Sequence, residues 1–351
     1  MRKKIAVVIV WWNGLKYLEG CLGSLARMNR GDFDVTVIVA DNLSTDGSAE
    51  KLRTAAERGE IELLETGSNL GFTGGNNFVL RRVLERGYDY AYLLNQDTEV
   101  HADFLVEAVA AAEADGRIDA VQSLLLLMWA RDQVNSAGNA IHFLGLGFCL
   151  GYREAAAKYR GGSVRDIAYG SGAGLLLRVA ALREVGMLEQ DFFMYHEDLD
   201  MGWKLRLAGW RSVIAPSSVV WHDFEFSRSI KKFFWMERNR FVVLFGRLSV
   251  RSLCVLALPL LLAELGLLLP AIRGGWWREK LRVYADLFSP KTRALIGRLR
   301  TETRRLRRVS DREVVKLFAA AIEGQEVEPA FTKYVANPLM RLTWGVARLL
   351  I

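Results

Sequence analysis

Short apolar, β-branched runs alternate with helical patterns through the first third of the chain. Ile5–Trp11 reads as a buried strand, and an Asn13-Gly14 turn leads into a helix over Leu15–Met28. Val35–Ala40 is a second strand ending at Asp41-Asn42, followed by a helix over Ser48–Arg58 and a short strand over Ile61–Leu64. A helix over Gly75–Arg86 precedes the apolar run Tyr90–Leu94, which stops at Asn95-Gln96-Asp97-Thr98. Strands separated by helices of about 10–15 residues make βαβ units and a parallel sheet. Helices on both faces of such a sheet explain strands that are apolar throughout rather than alternating.

After a helix over His101–Ala114 and a strand over Ala120–Met128 the rhythm changes. Residues 131–165 are rich in glycine and small side chains and have no helical period, which suggests a hairpin or a mobile loop. Gly172–Arg178 resembles a strand, Glu197–Ala208 an amphipathic helix, and Arg211–Ala215 and Val219–Trp221 two short strands. From Phe241 the pattern differs again. Leu253–Ile272 is a twenty-residue apolar stretch interrupted by Pro259, Glu264 and Pro270. Its length would span a bilayer, but a central Glu and a Pro argue against a simple span.

Composition sharpens this division. Hydrophobic residues make up 51% of the 351, and the surplus lies in the C-terminal third. The net charge of +7 is concentrated between Trp276 and Arg312, where twelve Lys/Arg face four Asp/Glu, leaving the remainder near −1. A basic segment beside the Trp276-Trp277 pair and an apolar helix suits a lipid headgroup region. No recognition motif or stacking platform for nucleic acid accompanies it. We therefore expect a catalytic domain over 1–245 and a helical, apolar and basic membrane-associating region over 246–351. Attachment would be peripheral or re-entrant, with the catalytic domain on the cytoplasmic face. The three cysteines, Cys21, Cys149 and Cys254, lie far apart without CxxC spacing and read as buried structural thiols,. Met1-Arg-Lys-Lys followed by Ile5–Trp12 imitates a signal peptide, but its apolar core is short and reads as the first strand,.

The chemistry gathers where strands end. In open α/β sheets ligands bind outside the carboxyl ends of the strands, and Asp97 follows one such strand. One or two carboxylates together with substrate phosphates commonly hold Mg²⁺. Asp41-Asn42 closes the second strand, where an Asp accepts from a ribose hydroxyl or a base N–H. Asn69-Leu-Gly-Phe-Thr-Gly-Gly-Asn-Asn77 is a glycine-rich turn before a helix, a setting that favours anions,. Glu197 and Asp198 open a helix and point about 100° apart, so they do different jobs. One faces an acceptor hydroxyl as general base and the other makes structural hydrogen bonds. His222, after Trp221, completes a metal shell or contacts phosphate. The donor-contacting set is Asp41, Asn42, Asn69, Gly71, Asn76, Asn77, Asn95 and Gln96, with Asp97 and His222 as metal ligands.

These motifs, in this order and with Phe192-Phe-Met-Tyr-His-Glu-Asp-Leu-Asp200, resemble family 2 glycosyltransferases, and more narrowly the rhamnosyltransferase-like subgroup that extends lipid-linked glycans. The resemblance covers about residues 4–245. It implies a GT-A fold, a Rossmann-like mostly parallel sheet flanked by helices, and inversion at the anomeric carbon. It also implies that Asp41 binds the nucleotide base, Asp97 binds Mg²⁺ or Mn²⁺, and Asp198 is the catalytic base. The expected donor is a dTDP- or UDP-sugar, with dTDP-rhamnose leading, and the expected acceptor is a polyprenyl-linked glycan. The chain departs from the family's Asp-x-Asp triplet at Asn95. That departure gives some weight to a rival, a membrane-associated nucleotide-sugar-binding scaffold without catalysis. A nucleotidyltransferase would want a basic glycine-rich loop after the first strand, and Asn13-Gly14-Leu15-Lys16 is a poor one.

Overall fold

The computed structural model describes residues 2–224, 233–324 and 332–351. Two compact units emerge. The first comprises Met1–Asn139, Cys149–Leu205 and Trp210–Phe224, and the second Ala140–Phe148, Arg206–Gly209 and Glu225–Ile351. The division falls at residue 224 rather than near 245, and the second unit draws in two short pieces of the first half. The reason is pairing: Phe318 and Ala319 bond in parallel register to Ile141 and His142, so that strand belongs with the C-terminal chain.

The first unit is built on β1 (Lys3–Trp11), β2 (Phe33–Asp41), β3 (Glu62–Glu65), β4 (Tyr90–Asn95), β5 (Thr98–Val100), β6 (Ile118–Leu127) and β7 (Ala130–Ser136). After the short pieces β8 (Asn139–His142) and β9 (Gly147–Cys149) come β10 (Arg165–Asp166), β11 (Gly174–Arg178) and β12 (Arg211–His222). The main sheet runs β10-β12-β6-β11-β4-β1-β2-β3, with β5 on β12 and β7 on β6. β4, β1, β2 and β3 are parallel neighbours, as the alternating pattern predicted. β11 enters antiparallel between β4 and β6, so the sheet is mixed. This inversion brings the loop before β11 to the carboxyl end of β4, where Asn95 donates to the Ala173 carbonyl at 3.4 Å.

Helices α1 (Leu18–Ala26), α2 (Ser48–Glu57), α3 (Gly71–Glu85) and α4 (Phe104–Glu113) supply the crossovers, and α5 (Val179–Val185) and α6 (Glu197–Leu207) follow β11. The core lies between strands and helices: Ile5, Val7, Ile9, Val37, Val39, Tyr92, Phe104 and Val121 are almost fully buried. Two expectations are adjusted. α3 starts at Gly71, four residues earlier than its apolar pattern suggests. Arg211–Ala215 and Val219–Trp221 are one strand, with a register shift between Ala215 and Val219. Pro216, which has no N–H to give a ladder, lies inside that irregularity, where bulges tolerate proline. Residues 131–165 begin as a hairpin, with β7 folding back on β6.

The second unit holds α7 (Phe233–Arg247), α8 (Val250–Arg273), α9 (Trp277–Leu287), α10 (Pro290–Leu306) and α11 (Asn337–Leu350). A β-carbon on Gly246 would come within 2.7 Å of Leu299 Cβ, so α7 and α10 cross at close range. Arg247 is fully buried there and pairs with Glu302 at 2.7 Å. By length and composition α8 is able to cross a membrane. The cysteine expectation holds only in part, since Cys21 is buried, Cys149 is half-buried and Cys254 is exposed.

Candidate active site

The site assembles at the carboxyl ends of β1, β2 and β4. Asp41 is the last residue of β2, almost fully buried, and its carboxylate accepts from the Ser44 amide at 3.3 Å. Asn42 organises the next loop: its Oδ1 accepts from the Leu70 amide at 2.9 Å, and its Nδ2 donates to Asn69 Oδ1 at 3.1 Å and to the Gly71 carbonyl at 3.2 Å. Asn69 Oδ1 also accepts from the Gly71 amide at 2.9 Å. Gly71 has φ of 72°, and a β-carbon there would lie 2.6 Å from the Phe193 carbonyl oxygen, so only glycine serves,.

Several predicted donor contacts have other employment. Asn77 donates to the Leu188 carbonyl at 2.8 Å and accepts from the Leu188 amide at 3.1 Å, so both ends of its amide clip that segment to α3. Asn76 is buried and donates to the Phe72 carbonyl of its own helix at 2.9 Å. Gln96 accepts from the Trp12 amide at 2.7 Å and donates to the Trp12 carbonyl at 3.0 Å. It locks the loop after β1 to the loop after β4. These three residues help to shape the cleft through these bonds.

Asp97 and His222 do come together. β12 ends at His222, and the Asp223 amide donates to the Asp97 carbonyl at 2.9 Å. His222 Nε2 lies 3.5 Å from Asp97 Oδ1 and 3.4 Å from Asn95 Nδ2. Its other nitrogen, Nδ1, is 3.0 Å from Asn135 Oδ1. An amide oxygen at Nδ1 selects the tautomer protonated there, leaving the Nε2 lone pair facing Asp97. Asn95 Oδ1 is buried with no hydrogen-bond partner. A carboxylate and an imidazole nitrogen 3.5 Å apart, with the Asn95 amide beside them and its oxygen unpartnered, suit a hard divalent cation that takes its remaining ligands from phosphate,. Among the described residues no group of three or more His, Cys, Asp or Glu converges, so a cation here needs the Asn95 amide and its substrate. Asn135 was not predicted. Nothing in its local pattern, a polar residue on β7, marks it; only the pairing of β7 with β6 carries it toward the end of β12.

The second acidic centre opens α6, whose first turn holds Glu197, Asp198 and Asp200. Asp198 Oδ1 accepts from the Leu199 amide at 2.7 Å, and the Gly172 amide also bonds this carboxyl. Burial nonetheless pushes Asp198 up to about 6. Burial first, and then the Asp198 charge, hold Glu197 well above the usual carboxylate range. Glu197 Oε2 has no partner. The two adjacent acids thus differ in setting: Glu197 is buried with an unpartnered Oε2, while Asp198 is held by two backbone amides. The thiol of Cys149, pushed up to about 12 by burial and then by Asp198, stays neutral nearby.

Backbone geometry sets this helix start. Phe193, Tyr195 and His196 have φ of 61°, 66° and 67°. Left-handed conformations at three such side chains are strained, and they persist only where surrounding structure imposes them. A β-carbon on Gly202 would lie 2.4 Å from Tyr169 Cβ, so α6 is seated hard against the strand-like segment that leads to Gly172. Gly172, which bonds Asp198, adjoins Ala173, which bonds Asn95. The Asp198 and Asp97 centres therefore share one edge of the sheet.

A cavity of about 500 Å³ lies on the other side of β12, lined by Arg131, Ala155, Arg160 and Trp221 among others. Trp221 and His222 are successive strand residues and point to opposite faces, so this cavity is separate from the cleft.

A mixed sheet with acids and amides at the carboxyl ends of its parallel strands, followed by an acid-led helix, defines a GT-A glycosyltransferase. The family described as "Glycosyltransferase like family 2" matches residues 2–241, and the chain belongs to it. N-acetylglucosaminyl-diphospho-decaprenol L-rhamnosyltransferase of Mycobacterium tuberculosis is 29% identical over 244 residues, covering 63% of this chain and 76% of that protein. Poly-beta-1,6-N-acetyl-D-glucosamine synthase of Staphylococcus aureus is 25% identical over 219 residues, covering 62% of this chain but only 49% of the synthase. Among solved structures, the mannosyltransferase of Pyrobaculum calidifontis with GDP-Man and Mn²⁺ aligns with a TM-score of 0.50 at 17% identity, over 87% of this chain and 84% of that one. TarS 1-349 of S. aureus with UDP-GlcNAc aligns with a TM-score of 0.53 at 13% identity, over 99% and 89%.

Proposed function

We propose that this glycosyltransferase moves a sugar, rhamnose as the leading choice, from a nucleotide diphosphate sugar to a polyprenyl-linked glycan with inversion at the anomeric carbon. The acceptor class is supported by the mycobacterial relative, named for a diphospho-decaprenol substrate and for rhamnosyl transfer. The observation that supports the mechanism is the placement of the Asp198 carboxyl and the Asp97–His222 pair along one edge of the sheet, linked through Gly172 and Ala173.

Asp198 takes the proton of the acceptor hydroxyl. The freed oxygen bonds to the anomeric carbon while the bond from that carbon to the diphosphate oxygen breaks on the opposite face. The proton ends on Asp198, and nucleoside diphosphate leaves. Asp41 receives the base or ribose of the donor at the end of β2. Asp97, His222 and Asn95 Oδ1 would hold Mg²⁺ or Mn²⁺, as the neighbour solved with Mn²⁺ encourages. A bound cation offsets charge on the leaving diphosphate. Asn42, Asn69 and Gly71 keep the Asp41 edge rigid. A lipid-linked acceptor puts this reaction at a membrane surface, with the cytoplasmic face as the side on which this reading has the enzyme work.

The test is direct: incubate the protein with a panel of sugar nucleotides and a prenyl-diphosphate glycan, then measure nucleoside diphosphate and glycosylated lipid. Transfer from dTDP-rhamnose with an inverted product linkage is expected. Donor binding without glycosylated lipid from any sugar nucleotide would sink the catalytic reading and favour a scaffold.

A further inference from the structure

α8 carries two different faces. Leu258, Leu261, Leu262, Leu265, Leu268 and Ile272 recur at helical spacing and are 43–64% exposed. The opposite side packs inward through Ser252, Leu256 and Ala271, all at most 1% exposed. Glu264 belongs to that inward side. It accepts from Arg240 at 2.6 Å, Lys280 at 2.6 Å and the Tyr284 hydroxyl at 2.5 Å. Arg240 and Lys280 are themselves almost fully buried, and both also bond Glu237.

α11 repeats the design. Leu339, Leu342, Val346 and Leu349 are 57–74% exposed, whereas Trp344 is buried and stacks on Phe143 at 5.1 Å between ring centroids. The two helices touch, and Arg251 at the start of α8 donates to the Leu350 carbonyl at the end of α11 at 3.0 Å. Exposed arginines rim this apolar surface: Arg251 and Arg273 at the two ends of α8, Arg348 in the last turn of α11, and Arg278 over the Trp277 ring at 5.4 Å.

We propose that α8 and α11 form a two-helix platform that lies flat in the headgroup region of an anionic lipid bilayer, with α8 along the surface rather than across it. The inference rests on the lipid-linked-acceptor reading for its biological purpose, though not for its physics. Apolar faces rimmed by arginine and tryptophan match the headgroup–acyl boundary, where leucines enter hydrocarbon and cations meet phosphates. A helix of this length is able to span by reach alone. Spanning, however, would carry Glu264 and its buried cations to mid-bilayer or tear the cluster apart, and breaking a buried pair is strongly destabilising. A second copy of the chain would leave the arginine rim without anionic partners.

The experiment uses the full chain and vesicles without acceptor. Flotation with phosphatidylglycerol-containing vesicles is compared with pure phosphatidylcholine, for the wild type and for a variant combining Leu261→Ser, Leu265→Ser, Leu342→Ser and Leu349→Ser. Wild-type protein should float with anionic vesicles, and the variant should lose at least tenfold in bound fraction while keeping its melting temperature and its transfer to a short-chain, water-soluble acceptor. Depth is read with a fluorophore on the native Cys254 and, in a Cys254→Ala background, on Leu261→Cys and Leu268→Cys, using lipids brominated at known chain positions. Equal, shallow quenching at all three sites is expected. Deep quenching at 261 with shallow quenching at 254 and 268 means a spanning helix and overturns the proposal. So does equal flotation of variant and wild type. A wild-type dimer that the variant loses, with no vesicle binding, assigns the surface to a second copy and also overturns it. Vesicle binding without transfer from any donor sinks the proposed function and leaves this inference standing.

Discussion

Asp198 has to be ionised to accept a proton, and burial has moved its titration up to about 6. Below that value the carboxyl is protonated and idle, so turnover should fall about tenfold per pH unit on the acid side and level off above neutrality. A pH–rate profile checks this. Replacing Asp198 with Asn should cost about 10²–10⁴-fold in kcat, the usual worth of a general base, with little change in donor affinity. Full activity in that variant moves the role to Glu197. Asn135→Ala should release the His222 ring and weaken cation affinity about 10–100-fold, as loss of an orienting partner usually does. Isothermal titration with Mn²⁺ in the presence of nucleoside diphosphate reads it without turnover. Asp119 on β6 is a separate case. It is buried, both carboxylate oxygens lack partners, and burial holds it well above the usual carboxylate range. A raised folded-state value means that its stabilising share is complete below the unfolded value near 4 and is lost as pH rises,. The melting temperature of Asp119→Asn should therefore gain on wild type as pH rises above about 4, and a difference independent of pH across the acid-to-neutral range would contradict this,. Of these residues, Asp41, Asp97, Asp198 and His222 were singled out in the sequence because they fall at strand ends and a helix start. Asn135 was not, because its partner lies 87 positions away. The backbone partners of Gln96 and Asn77 were not legible for a related reason: a polar side chain near a cleft gives no sign of which backbone it will bind.

The strands β1, β2 and β4 were readable because their central runs are apolar on both faces and bounded by turn residues, as a doubly covered sheet demands,. β11 was visible as a strand but not as an inverted one, since direction depends on where the chain returns. β12 looked like two strands because Pro216 and two serines break its apolar run, whereas in three dimensions the break is a bulge. The start of α6 depends on close approach. Gly202→Ala should push its helix from Tyr169, cost about 1–3 kcal/mol in stability and lower kcat by disturbing Asp198. Thermal melts and kinetics on the same preparation separate the two effects. α8 illustrates the limit of a hydropathy argument. Its length suggested a bilayer span and its central Glu an objection, but neither names the partners of Glu264, which come from α7 and α9.

A break near residue 245 followed the change of composition, yet the compact units divide at 224 and the second takes two short pieces of chain from before that point. Phe143 and Leu144, almost fully buried, belong to the C-terminal unit, with Phe143 against Trp344. A chain ended at 245 should accordingly expose that apolar turn and aggregate, as size exclusion of the truncated protein would show; a stable monomer would argue for an independent first domain. Asn95 bears on the same question of integrity from another side. Two carboxylates in its triplet would repel each other whenever no cation lay between them. An amide there removes the quarrel, so chelator-treated enzyme should keep its native shape and wait, intact and silent, for cation and donor to arrive together.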